Sequence, residues 1–363
     1  MKQRKQGRIV TGYMYLFERI KVLALLAAVC MILMLTACAK EDDMLLQAGS
    51  LIENGEYAKA IEILDAAEKS GADSRIVHRD RGIARMGLSD YNGAEKELIN
   101  SLSANTGYIT RMDVDTSYYL ATAQYRLGDV RGANETYSAI ISLYPDESDA
   151  FYFRGRTYIA MQDMDNAKSD FDKAIRLSPD DPDLYIQIYE ALSEAGYAEE
   201  GQRYLKNAME LNTKLSYFQK GRLYYCMGEY EKAKGSLEHA VNEDKDFKAT
   251  LYLGRTYEAL GDMNYAVSLY RTYLESDPGN AEVLNQLGLC LMNLGEYASA
   301  AEVFQRGLET GDVPMEQSLY FNLITAYEHL GSFDKAKTLM ADYLQKYPDD
   351  KEAIRENEFL ATR

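Results

Sequence analysis

Tryptophan is absent from the 363-residue chain, which has only 6 prolines, 4 cysteines and 3 histidines. So little proline excludes collagen-like and Pro-rich disordered classes, and four cysteines in this length cannot form a disulfide framework. His78, His239 and His329 stand alone, none in a His-x-x-x-His or similar ligand spacing, so no metal centre and no cofactor is expected. Gly-x-Gly-x-x-Gly, Gly-x-Ser-x-Gly and phosphate-loop patterns are missing too, which argues against an enzyme. Positive charge is scarce: 40 basic against 57 acidic residues give −17. A nucleic-acid surface needs clustered Lys and Arg, so no nucleic-acid partner is expected. What is abundant is tyrosine, 30 residues in a chain that is 47% hydrophobic and 27% charged. This composition fits half-buried amphipathic faces rather than one deep core.

Lys2, Arg4, Lys5, Arg8, Arg19 and Lys21 precede an apolar run from Val22 to Leu35, followed by Thr36, Ala37 and Cys38. Fourteen apolar residues make about 21 Å of helix against the ~30 Å of a hydrocarbon core, so a secretory signal is the better reading than a permanent span. Leu35-Thr36-Ala37-Cys38 resembles the bacterial lipobox. The resemblance implies a signal peptide over 1–37, lipidation of Cys38, a short tether over 38–42, and a protein held at the extracytoplasmic face of a cell membrane. Two acyl chains suffice for stable anchoring where one does not. Removal of residues 1–37 takes away six basic residues and one acidic residue and leaves −22, so lipid rather than a basic patch must hold the body to anionic headgroups.

From residue 43 onward one unit repeats. A small residue recurs at Ala60, Ala94, Ala133, Ala167, Gly201, Ala233, Ala266, Ala300 and Ala336, a period near 34 residues. Five residues before it stands Gly in seven units: Gly55, Gly128, Gly196, Gly228, Gly261, Gly295 and Gly331, each marking a helix end and turn. Four residues after it comes a large side chain: Leu64, Leu98, Tyr137, Phe171, Leu205, Leu237, Tyr270, Phe304 or Met340. That is helical spacing on one face, so each unit is helix, turn, helix. Small residues such as Gly155, Gly221, Gly254 and Gly288 on the first helix face Ala167, Ala233, Ala266 and Ala300 on the second and allow close approach.

The pattern resembles the tetratricopeptide repeat. The fourth unit carries most of it, with Phe151, Gly155, Tyr158, Ala167, Phe171, Ala174 and Pro179 at the family spacings. The resemblance implies an all-α, right-handed superhelical solenoid of about nine units over 43–349, and residues 350–363 read as a capping helix. The fifth unit departs from the pattern, with Tyr189 where Gly is usual and Gly201 where Ala is usual, and altered packing is expected there. Longer spacings place accessory loops around 103–113 and 310–317.

First helices line the inner groove in this family, so the resemblance places Tyr118, Tyr152, Arg156, Glu190, Phe218, Arg222, Leu251, Tyr252, Arg255, Asn285 and Phe321 on the partner-binding face. Arg156, Arg222 and Arg255 share one offset and could form a cationic, aromatic-lined track for acidic or C-terminal peptide segments. They could equally pair with acidic neighbours such as Glu190 or Glu258. The expected function is a non-catalytic, lipid-anchored scaffold for protein or peptide partners. The alternative is a lipoprotein that holds a cell-wall glycan or small molecule by stacking on Tyr118, Tyr152 and Tyr252. Partner identity and self-association are open at this level.

Overall fold

The computed structural model describes residues 43–105, 107–211, 215–243, 247–348 and 350–363. Cys38 and the expected signal and tether therefore lie outside the described residues. Among these, every regular element is a helix, and no helix is long and apolar enough to cross a membrane. Among the described residues, nineteen helices follow one another. The first nine pairs are α1 (43–53) with α2 (Tyr57–Ser70), α3 (Ser74–Gly87) with α4 (Tyr91–Ser103), α5 (Arg111–Arg126) with α6 (Val130–Leu143), α7 (Ser148–Ala160) with α8 (Met164–Leu177), α9 (Pro182–Glu194) with α10 (Ala198–Met209), α11 (Tyr217–Cys226) with α12 (Tyr230–Glu243), α13 (Phe247–Ala259) with α14 (Met263–Ser276), α15 (Ala281–Asn293) with α16 (Tyr297–Glu309), and α17 (Val313–His329) with α18 (Phe333–Lys346). The unpaired α19 (Lys351–Ala361) closes the series. By compactness the described residues form two units, divided between Ala167 and Lys168.

The turns explain why helices alternate at this period. Gly55, Gly128, Gly196, Gly228, Gly261, Gly295 and Gly331 all take positive φ, between 69° and 86°, a conformation open to glycine without a steric cost. In the two units without that Gly, Ser89 and Gln162 occupy the same place and adopt φ of 60° and 62°. The next residues then start the second helix, often from an acidic cap: Asp90 accepts from the Gly93 amide at 2.9 Å, Asp129 from Gly132 at 3.0 Å and Asp262 from Tyr265 at 3.1 Å. Part of the acidic excess thus satisfies orphan helix-end amides and the positive end of the helix dipole.

Packing follows the repeat. All nine large residues that follow the small ones are 3% exposed or less, and each contributes roughly 1.5–3 kcal/mol by leaving water. Close approach is enforced by the first-helix glycines: a Cβ on Gly221, Gly254 or Gly288 would stand 2.4 Å from Leu237, 2.1 Å from Tyr270 or 2.3 Å from Phe304. In the fifth unit the two sizes are exchanged. A Cβ on Gly201 would fall 2.9 Å from the Tyr189 ring, so Gly201 vacates the space that Tyr189 fills. First helices also touch the first helices of neighbouring units: α3 meets α5 in the N-terminal unit, and α9, α11, α13, α15 and α17 meet in succession in the C-terminal one. Their shared face is where a partner could lie.

The long spacing near 310–317 is resolved differently from the sequence expectation. Residues from Val313 onward belong to α17, which is 17 residues long, so the extra length extends a helix and leaves only a short turn. Asp312 and Pro314 explain it: the Asp312 carboxylate caps the Met315 amide at 3.1 Å, and Pro in the first turn is pre-set for helix. Between α4 and α5 a true loop remains, shorter than expected because Arg111–Asp113 are already helical.

Candidate partner-binding site

In the N-terminal unit, α5, α6 and α7 bring Tyr118, Tyr137 and Phe153 together. The Tyr137 and Phe153 rings stack at 5.6 Å with 13° between planes, and Tyr118 tilts onto both at 6.0 and 6.2 Å. The Tyr118 hydroxyl is buried without a hydrogen-bond partner, and burial pushes its pKa up. Tyr152, expected on the groove face, is 6% exposed and packs edge-on against Phe153 at 5.1 Å. One residue along a helix is a 100° rotation, which is enough to exchange the two rings between core and surface. A cavity of about 130 Å³ opens here, lined by Thr122, Tyr125, Arg126, Tyr137, Phe153 and Arg156. The Arg156 guanidinium lies 5.9 Å from the Tyr125 ring centroid, and among the described residues neither Arg156 nor Arg126 has a carboxylate in ion-pair reach.

The other two arginines of the expected track are occupied within the C-terminal unit. Arg222 on α11 is held between the Phe218 and Tyr252 rings, 5.4 and 5.3 Å from their centroids, and is ion-paired to Asp183 on α9. Arg255 on α13 lies 5.8 Å from the Tyr252 ring centroid and 3.8 Å from the Glu282 carboxylate of α15. Glu190 is solvent-exposed as a residue, but burial of its carboxyl raises its pKa, and its charged neighbours are of both signs: Arg222, Glu194, Arg255 and Asp183. The expected partner Glu258 instead accepts from the Tyr270 hydroxyl at 3.0 Å. Leu251 is buried, and Asn285, 9% exposed, accepts from the Asn322 side chain at 2.8 Å. Phe321 is half-buried and meets Tyr343 at 5.9 Å. A cavity of about 250 Å³ remains beside Phe218, Arg222, Lys248, Tyr252, Arg255 and Glu282.

The groups that could have carried chemistry are accounted for by packing. His239 stacks on Tyr217 at 4.7 Å and His329 on Tyr297 at 4.6 Å. His78 joins an ion network that the sequence reading missed. Its Nδ1 is 2.6 Å from Glu97, while Arg81, 5% exposed, reaches Glu68 at 2.7 Å and Asp65 at 2.9 Å. The signal was the Arg-rich run Ser74-Arg75-Ile76-Val77-His78-Arg79-Asp80-Arg81. Burial pushes the Cys226 thiol up to about 12 and raises that of Cys290 as well, so both are poor nucleophiles. Among the described residues no group of three His, Cys, Asp or Glu is placed to hold a metal ion.

Models of the tetratricopeptide repeat match residues 45–108, 118–182, 218–281, 257–314 and 318–350. The chain belongs to the tetratricopeptide repeat family. Relatives are distant. TPR repeat-containing protein MJ1428 of Methanocaldococcus jannaschii is 23% identical over 62% of this chain and 41% of its own length. BBSome complex member BBS4 of Bos taurus is 24% identical over 60% of this chain and 42% of its own. TPR repeat-containing protein YpiA of Bacillus subtilis is 23% identical over 71% and 58%. The match thus spans only about two fifths of the length of the first two. A tetratricopeptide repeat protein from Parabacteroides merdae superposes with a TM-score of 0.45, 16% identity, and coverage of 79% of this chain and 98% of that one.

Proposed function

We propose that this tetratricopeptide repeat protein is a non-catalytic scaffold that binds an acidic segment of a protein partner on its first-helix face. The observation that carries the reading is the N-terminal cavity, where Arg156 and Arg126 lack a carboxylate partner among the described residues beside the Tyr125, Tyr137 and Phe153 rings. A carboxylate entering there would gain a charge-assisted hydrogen bond, and its apolar stem would lie on the aromatic walls. Arg222 and Arg255 differ in kind: each has an internal acidic partner, so a ligand at those positions must exchange one ion pair for another, with small net gain. Relatives that are by name members of the BBSome and the anaphase-promoting complex accord with a role in protein assembly. Glycan stacking has less support, since Tyr152 is buried and the Tyr252 ring already lies against Arg222 and Arg255.

The same proposal places the protein on the extracytoplasmic side of a cell membrane, anchored through Cys38; the lipobox-like segment after its basic preamble supports this. Two experiments test the two halves. Metabolic labelling with a fatty acid should mark the wild-type chain and not Cys38→Ala; equal labelling would reject the anchor. Capture from detergent-solubilised native membranes should retain a partner on the wild-type chain and lose it on Arg156→Gln with Arg126→Gln. Retention by both would move the site elsewhere.

A further inference from the structure

The last helix is held to the array by few groups. Ala353 and Leu360 are the buried residues of α19, and they join Ile324 of α17 with Ala336, Met340 and Tyr343 of α18 in one apolar cluster. The start of α19 is tied through Asp350, whose carboxylate accepts from the Tyr343 hydroxyl at 2.6 Å and the Gln317 side chain at 3.2 Å. Its middle is opposed instead, because Glu356 of α19 faces Glu328 of α17. The Glu328 Oε1 atom is buried and has no hydrogen-bond partner among the described residues. Neighbouring cations are turned elsewhere. His329 stacks on Tyr297 of α16 at 4.6 Å, Lys335 of α18 lies 4.9 Å from the Tyr327 ring centroid, and on α19 Arg355 donates to the Lys351 carbonyl at 3.1 Å while Arg363 lies 4.9 Å from the Phe359 ring centroid. Exposed Asp334 of α18 and Glu352 and Glu358 of α19 add charge of the same sign as Glu328, and the acidic residue of α15, Glu282, sits in that helix's first turn.

We propose that α19 is a pH-operated end cap: one proton shared by Glu328 and Glu356 latches it onto α17 and α18, and loss of that proton opens the last apolar layer of the array. Two carboxyls that meet out of water cannot both stay ionised, and a single proton between them turns repulsion into a hydrogen bond. The layer that opens is Ile324, Met340 and Tyr343, all buried while α19 is docked. The direction follows from linkage. Burial and Glu356 push the Glu328 carboxyl up to about 7 from 4.5, so the closed cap holds a proton that the opened cap releases. Closure is therefore tightest below pH 4.5 and loosens as pH rises to about 7, above which it no longer changes. A terminal helix in a repeat array contacts neighbours on one side and opens without unfolding the units behind it.

The test is hydrogen–deuterium exchange of the full chain in mild detergent, read by mass spectrometry at about pH 5 and about pH 8 with the intrinsic exchange rates divided out. Protection of peptides within Lys351–Ala361 should fall about tenfold or more from the lower to the higher pH, while that of Tyr297–Glu309 on α16 changes little. Glu328→Gln keeps a hydrogen-bond donor without the charge, so it should hold α19 protected at both values. Glu356→Lys sets a cation against Glu328 and should keep α19 protected at the higher pH by attraction. This second variant separates charge from packing should the first one misfold. Protection of α19 that does not change with pH in the wild-type chain, a loss shared equally by α16, or a pH dependence that both variants retain would each overturn the proposal.

Discussion

At positions 89 and 162 the chain turns left-handed without a glycine. Ser89 and Gln162 occupy the place that seven repeats give to Gly, with the same positive φ. An L side chain in that region costs roughly 1–2 kcal/mol, part of which glycine would return as chain entropy. Ser89→Gly and Gln162→Gly should therefore each stabilise by about 0.5 kcal/mol, read as a higher urea midpoint at unchanged slope. Gly254 presents the opposite case. A methyl there would meet the Tyr270 ring at 2.1–2.4 Å, so Gly254→Ala should cost about 1–3 kcal/mol by overpacking. Both kinds of position were legible from spacing alone, because the backbone requirement repeats with the unit. Which ring of Tyr152 and Phe153 faces the cavity was not, because the family offset does not fix helix rotation to better than one residue.

Helix ends and helix pairs make the protein sensitive to pH in two opposed ways. Asp350 caps α19 through the Glu352 and Ala353 amides and accepts from the Tyr343 hydroxyl at 2.6 Å; the Tyr343 contact and the amides hold its pKa below 3.8. Asp90, through the Gly93 amide and Arg85, is lowered likewise. Carboxylates lowered on folding stabilise above their unfolded pKa, and that stability is lost as pH falls below about 3.8. Asp350→Ala should cost ~1–2 kcal/mol at neutral pH and nothing further at pH 2. Glu328 on α17 behaves the other way: burial and the nearby Glu356 of α19 push it up to about 7 from 4.5. The folded state takes up this proton first, so stability should rise as pH falls from about 7 to 4.5. Glu328→Gln should raise the melting temperature at pH 8 and leave it unchanged at pH 4, and a melting temperature that falls steadily from pH 8 to 4 would contradict the assignment. A cap such as Asp181 before Pro182 needs only local sequence and geometry. The Glu328–Glu356 approach is 28 residues apart in sequence and depends on how α19 docks, which no local pattern records.

For the molecule as a whole, the periodic small, large and turn residues are enough to specify about nine helix pairs and a final helix. The spacing near 310–317 misled because a Pro in a first turn extends a helix as readily as it breaks one. Function was less legible. Arg156, Arg222 and Arg255 share an offset, yet only the structure shows that Asp183 and Glu282 occupy two of them, while Arg156 has no ion-pair partner among the described residues. The partners Asp183 and Glu282 lie on the neighbouring first helices, 39 residues before and 27 after their arginines, and could have been sought at roughly one repeat. Arg126 could have been sought on the same helix as Tyr125.

The most direct measurement is fluorescence anisotropy of labelled acidic, neutral and basic peptides against the full chain and its Arg156→Gln variant, at low and physiological ionic strength. The net charge of −17 alone would favour basic peptides, so a preference for acidic ones can come only from a local cationic site. We predict that acidic peptides bind best, that salt weakens them, and that Arg156→Gln weakens them about tenfold. A preference for basic peptides, or acidic binding that the variant leaves intact, would contradict the account.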